Sequence, residues 1–71
     1  MNRIREYRKA SNLSQEKLGK LVGVSARSIG FYETGGRAMT VQTAVDIAKA
    51  LDTTLNELFM PSTEQIEHKT I

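Results

Sequence analysis

Residues 13–37 read LSQEKLGKLVGVSARSIGFYETGGR. Apolar residues recur at helical spacing on both sides of Gly23-Val24-Ser25, a three-residue joint that contains a helix stop and a helix start. Leu18, Val22, Val24, Ile29 and Tyr32 fall where two helices crossing at a steep angle meet. This layout predicts a helix-turn-helix, whose second helix, about residues 26–34, is of the kind that enters the major groove of duplex DNA.

The local signals inside the stretch are chemical. Ser14 and Ser25 are good N-caps because a serine oxygen accepts a free backbone N–H of the first turn. Glu16 lies in the first turn of helix 2, where the helix dipole favours a carboxylate. Gly23 stops that helix by its freedom at positive φ, and Gly35-Gly36 ends helix 3. The apolar positions of helix 2 are Leu18, Leu21 and Val22; the inward side of helix 3 is Ile29 and Tyr32.

Outward from this centre, three more helices are expected. Helix 1 covers about residues 2–10, with Ile4, Tyr7 and Ala10 on its buried stripe, and Ser11-Asn12 ends it. Thr40 opens helix 4, with Val41, Ala44, Val45, Ala48 and Leu51 on one face. Thr54-Leu55-Asn56-Glu57 reads as a capping box starting helix 5, where Leu55, Leu58 and Phe59 close the core and Pro61 stops the helix. The expectation is an all-α domain over residues 1–60 and a polar, flexible tail over residues 61–71.

A chain of 71 residues has room for one core. It has no cysteine, which excludes disulfides and a cysteine-based zinc site. No apolar run reaches the ~18–20 residues of a membrane span, and MNRIREYRK is not followed by the apolar stretch of a secretory signal. A cytoplasmic location is the default. No nucleophile–base arrangement, metal-ligand cluster or glycine-rich phosphate loop is present, so an enzyme is not expected and no cofactor is implied. His68, the one histidine, stands alone in the polar tail.

The net charge of +2 is unevenly spread. Residues 1–37 hold eight Lys/Arg against three Glu, giving +5; residues 38–71 hold two Lys against five acids, giving −3. The basic half carries the helix-turn-helix pattern, which suits a polyanionic partner.

At the level of motifs, the chain resembles the lambda-repressor-like, Cro-type helix-turn-helix proteins, the XRE family. The resemblance covers roughly residues 4–59. It rests on Leu13-Ser14-Gln15-Glu16, Gly23-Val24-Ser25, Ile29 with Tyr32-Glu33 and Gly35, and Ala48-Lys49-Ala50-Leu51 followed by Leu55 and Glu57-Leu58-Phe59. It implies a compact five-helix domain that binds a pseudo-palindromic operator as a homodimer and regulates transcription, with repression the expected direction. Gln15 is implied to touch a phosphate, with the helix N-terminus adding backbone donors. Ser25, Ala26, Arg27 and Phe31 match base-facing positions of the recognition helix. Ser28, Gly36-Arg37 and Thr40 match positions near the DNA backbone, and Lys17 and Lys20 can add phosphate affinity. Arg8 and Glu33 match an ion pair between helices 1 and 3. The surface around helix 5, with Leu55, Leu58, Phe59 and Met60, matches the dimer contact.

The chain departs from the family pattern at Gly19, where alanine is common. The glycine costs helix 2 roughly 1 kcal/mol in propensity but allows close approach to helix 3. Met39 stands where proline is frequent, and helix 3 offers Ala26, Gly30 and Phe31 around a single Arg27 in place of several polar groups. Arg27 is either a guanine-reading side chain, a phosphate contact or a solvated charge. Ala26 and Phe31 can pack on a thymine methyl; for Phe31 the alternative is peripheral core, and a third reading is a protein-binding surface. Among Arg3, Arg5, Lys9, Lys17 and Lys20, two or three phosphate contacts are expected. The competing reading is an antitoxin-like or other protein-interaction module on the same fold, whose partner meets the tail or Phe31.

Overall fold

Each helix starts where a side-chain oxygen accepts a backbone N–H two or three residues on. Asn2 Oδ1 accepts from Ile4 N at 3.0 Å, Ser14 Oγ from Lys17 N at 3.0 Å, and Ser25 Oγ from Ser28 N at 3.0 Å. Thr40 Oγ1 accepts from Thr43 N and Thr54 Oγ1 from Glu57 N, both at 3.1 Å. These caps satisfy donors that a helix N-terminus otherwise leaves free. The result, in a computed structural model describing residues 2–59, is five helices and no strand among the described residues. They are α1 (Ile4–Ala10), α2 (Gln15–Val22), α3 (Ala26–Thr34), α4 (Val41–Ala50) and α5 (Leu55–Phe59).

The helix ends follow backbone conformation. Gly23 and Gly35 sit at φ 80°, in the left-handed region that glycine enters without a Cβ penalty. Asn12 and Asp52 take the same conformation at φ 59° and 57°, closing α1 and α4. The expected stop at Pro61 and the tail over residues 61–71 lie outside the described residues.

One residue from each helix is fully enclosed: Ile4, Leu18, Ile29, Ile47 and Leu58. Tyr32, Ala48 and Leu51 complete the buried cluster, with Val22, Val24 and Met39 packed against it. The joint expected at Gly23-Val24-Ser25 therefore sits where the two helices converge on the core.

Four sequence expectations need correction. On α1 the buried residues are Ile4 and Arg8, while Ala10 is exposed and Tyr7 half-buried, because Glu33 draws the Arg8 side chain inward. On α4 the fully enclosed residue is Ile47, beside the expected Ala48; Val41, at the first turn, overhangs solvent at 77% exposure. On α2 Leu21 faces outward. The capping box at α5 is half formed: Thr54 caps, but the Glu57 carboxylate accepts from Tyr7 Oη at 2.9 Å, tying α5 to α1. Arg3 N donates to Leu58 O at 2.9 Å across the same junction.

Gly19 is where α2 meets the turn. A Cβ built there would lie 2.5 Å from Val24 O and 3.2 Å from the carbonyl carbon of Ser25, both backbone atoms. The close approach expected of this glycine is real, and its neighbour is the turn leading into α3.

Candidate nucleic-acid interface

The two sides of α3 have opposite chemistry. Its inner side buries Ile29, Tyr32 and Glu33. The Glu33 side chain is fully enclosed, and its two oxygens serve three donors from two other helices. Oε2 accepts from Arg8 Nε at 2.6 Å; Oε1 accepts from Arg5 Nε and from Gln15 Nε2, each at 3.2 Å. Arg8 also donates to Leu13 O at 2.8 Å. Burial pushes the Glu33 carboxyl up, but the hydrogen bonds from Arg8, Gln15 and Arg5 and the charge of Arg8 outweigh it and hold the carboxyl below the ordinary value of 4.5. No buried side-chain polar atom lacks a partner among the described residues. Asn2, which caps α1, also donates from Nδ2 to Tyr32 O at 2.9 Å, so the start of α1 is tied to the main chain of α3.

The outer side of α3 lines an open groove whose far wall is Gln15. From α3 it takes Ala26, Arg27, Gly30, Phe31 and Thr34. Arg27 is exposed, and no hydrogen bond or ion pair holds it among the described residues. Thr34 Oγ1 is turned back onto its own helix, 3.3 Å from Gly30 O and from Phe31 O. Phe31 is half-buried but is not one of the apolar side chains packed on the core. The Arg37 guanidinium instead covers its ring at 4.7 Å from the centroid, and Arg37 Nη1 donates to Ser28 Oγ at 3.2 Å. The peripheral-core reading of Phe31 therefore gives way to a surface aromatic clamped by an arginine.

Of the residues singled out by sequence, Gln15, Ala26, Arg27 and Phe31 share this groove. Arg37 meets it over the Phe31 ring, and Ser28 bonds Arg37 and Ser25 beside it. Gly36 is adjacent, its N–H donating to Phe31 O at 2.9 Å. Lys17, Lys20 and Thr40 are exposed, and no side-chain contact joins them to this group among the described residues. Gly30, expected on this face, lines the groove, and Thr34 is an addition at helical spacing from Phe31, found by projecting α3 onto a wheel. Arg5, expected as a phosphate candidate, is instead bonded to Glu33. At the expected dimer surface, Leu58 is a correction, since a fully enclosed side chain has no surface to offer. Leu55 is 38% exposed and Phe59 half-buried; Met60 lies outside the described residues. No group of His, Cys, Asp and Glu able to hold a metal occurs among the described residues, and no helix is long and apolar enough to cross a membrane.

A helix-turn-helix family model, HTH_3, matches residues 4–58. The control protein C.SmaI of Serratia marcescens is 40% identical over 55 residues, 78% of this chain and 66% of that protein. An uncharacterized HTH-type transcriptional regulator of Archaeoglobus fulgidus is 33% identical over 67 residues, 94% of each chain. Among solved structures, the P22 c2 repressor in complex with a synthetic operator superposes with a TM-score of 0.73 at 33% identity, over 76% of this chain and 82% of that one. With the family model spanning all five helices and these relatives agreeing along nearly its full extent, the chain belongs to the XRE-type HTH_3 helix-turn-helix family, a DNA-binding transcription-regulator type and not an enzyme type.

Proposed function

We propose that this protein is a transcriptional repressor that binds duplex DNA sequence-specifically, with α3 in the major groove. The observation that carries this reading is the division of α3: an inner face locked by Glu33, and an outer face where the exposed Arg27 is free to reach a base edge. The +5 charge of residues 1–37 supports it, as does the likeness to a repressor solved on its operator. In this arrangement Arg27 bonds a guanine, Ser25, Ala26 and Phe31 face neighbouring bases, and Arg37 and Ser28 lie at the edge of the contact. Gln15 has one amide hydrogen committed to Glu33 and one left for a phosphate. Lys17, Lys20, Gly36 and the α4 N-terminus at Thr40 supply further backbone contacts.

The assembly we infer is a cytoplasmic homodimer on a pseudo-palindromic operator, its half-sites one helical turn, about 34 Å, apart. The exposed Leu55 and the half-buried Phe59, with Met60, form its contact surface. Binding to random-sequence duplex at about 50 and 200 mM salt, followed by selection of preferred sites, tests the proposal. The expected result is affinity that falls steeply with salt and a palindromic selected sequence. Undetectable binding at low salt overturns it.

The second reading, an antitoxin-like module with a protein partner, draws on the small number of free polar groups in the α3 groove. Deleting residues 61–71 discriminates: loss of a bound protein with DNA affinity intact assigns the tail to protein contact.

A further inference from the structure

Gln15 belongs to α2, yet its amide rests against the middle of α3. A Cβ built on Gly30 would lie 3.4 Å from Gln15 Nε2, 3.8 Å from Gln15 Oε1 and 3.9 Å from Gln15 Cδ. The amide thus covers the part of α3 where Gly30 has no side chain of its own, in the same groove as Arg27. Its orientation is set from behind. Glu33 Oε1 accepts from Gln15 Nε2 at 3.2 Å, and an ionised carboxylate can only accept. The amide nitrogen must therefore face Glu33, and the amide oxygen cannot change places with it. Arg5 and Arg8 hold the same carboxylate in turn. One amide hydrogen is left for a phosphate. The Gln15 oxygen accepts from no group among the described residues, and no buried side-chain polar atom there lacks a partner, so it is open to solvent.

In the major groove, adenine N6 and cytosine N4 present amino donors, whereas guanine O6 and thymine O4 only accept. We propose that Gln15, a residue of α2, is a second base-reading side chain, whose oxygen accepts from the exocyclic amino group of an adenine or a cytosine. This rests on the reading of α3 as the recognition helix and adds a specificity-determining residue to it. Gly30 makes the room, and Glu33 is the positioning residue. A guanine or thymine at the same place sets one acceptor against another, so the position is read as amino against keto. Arg27, which has donors only, selects the opposite chemistry in the same groove.

The test uses the whole chain and the duplex selected from a random pool. Each adenine is replaced in turn by purine and each cytosine by 2-pyrimidinone, which removes the exocyclic amino group alone. The expected result is a position in each half-site where the loss weakens binding about fivefold, as for one hydrogen bond. Whether purine or 2-pyrimidinone gives the response tells which base supplies the amino group. Gln15→Ala lowers affinity for all duplexes alike and brings that fivefold ratio to one. Gln15→Asn, which keeps an amide but is one methylene too short to lie over Gly30, does the same, and circular dichroism confirms that both fold. Folded Glu33→Gln loses most of the ratio, because its own amide also donates and lets the Gln15 amide turn over. Duplexes that show no responsive position overturn the inference and leave DNA recognition standing, as does a folded Gln15 variant that keeps the ratio. A folded Glu33→Gln with the full ratio overturns the positioning by Glu33. The absence of salt-dependent binding by the unmodified chain overturns the DNA reading, and the base contact with it.

Discussion

The inner and outer faces of α3 are less than a helix diameter apart and obey different rules. On the inner face a carboxylate is fully enclosed, yet every oxygen it has is used, by donors from α1 and α2. On the outer face an exposed arginine, Arg27, has no hydrogen-bond or ion-pair partner among the described residues. The first charge makes the position of the helix depend on three others; the second makes nothing in the fold depend on it. The comparison teaches that charge on one helix can serve placement or recognition, and that burial decides which. Changes to the inner face should therefore alter stability first, and changes to the outer face only sequence preference.

The largest effect should come from Glu33→Ala, which leaves Arg8 buried without its partner. Breaking a buried pair in this way costs about 3–5 kcal/mol, read as a large drop in the urea midpoint with loss of binding to all duplexes together. A small change would erase the distinction between the two faces. The same site sets a pH dependence. Since the Glu33 carboxyl is held below its ordinary value in the folded state, its stabilisation is complete above that value and is lost as pH falls through the folded one. Urea midpoints of the wild type should thus fall more steeply on acidification than those of Glu33→Gln.

Gly19→Ala should come next. Helix propensity alone favours alanine by about 1 kcal/mol. The added Cβ, however, would meet the Val24 carbonyl oxygen at 2.5 Å, where only backbone can yield. We expect net destabilisation of about 1–3 kcal/mol, and a rise in melting temperature would refute the close approach. On the outer face, Arg27→Ala should leave stability within about 0.5 kcal/mol. Its effect should be a loss of about 1–3 kcal/mol of discrimination at one base pair, measured against single-substituted duplexes. The smallest change belongs to Lys20→Ala, which should weaken selected and random duplex alike and reduce the salt slope by about 1.

How much of this was written in the sequence depends on the range of each interaction. The caps at Ser14, Ser25, Thr40 and Thr54 and the stops at Asn12, Gly23 and Gly35 act within a turn of their own position, and their residue types announce them. Helical periodicity alone points to Val41 as readily as to Ile47. What separates them is that Val41 opens the helix, beyond the reach of neighbours far away in sequence. The family resemblance implied the Arg8–Glu33 pair, but the arrival of Arg5 and Gln15 at the same carboxylate depends on how α1 and α2 are aimed. Likewise, the residues of the α3 groove share a face by simple spacing, whereas the Arg37 clamp on Phe31 depends on the path of the loop after Gly35.

The five enclosed residues, one per helix, also bear on how the fold can be divided. Because α1 through α5 each send one side chain to the same centre, no pair of helices contains a core of its own. The helix-turn-helix cut out as a peptide would lose Ile4, Ile47 and Leu58 and keep a recognition surface with nothing behind it. Grafting α2 and α3 onto another scaffold would have to supply three foreign apolar side chains at matching positions. The simpler route to a new binding preference is to keep the whole chain and exchange only residues 26, 27 and 30, changing 31 and 37 as a pair.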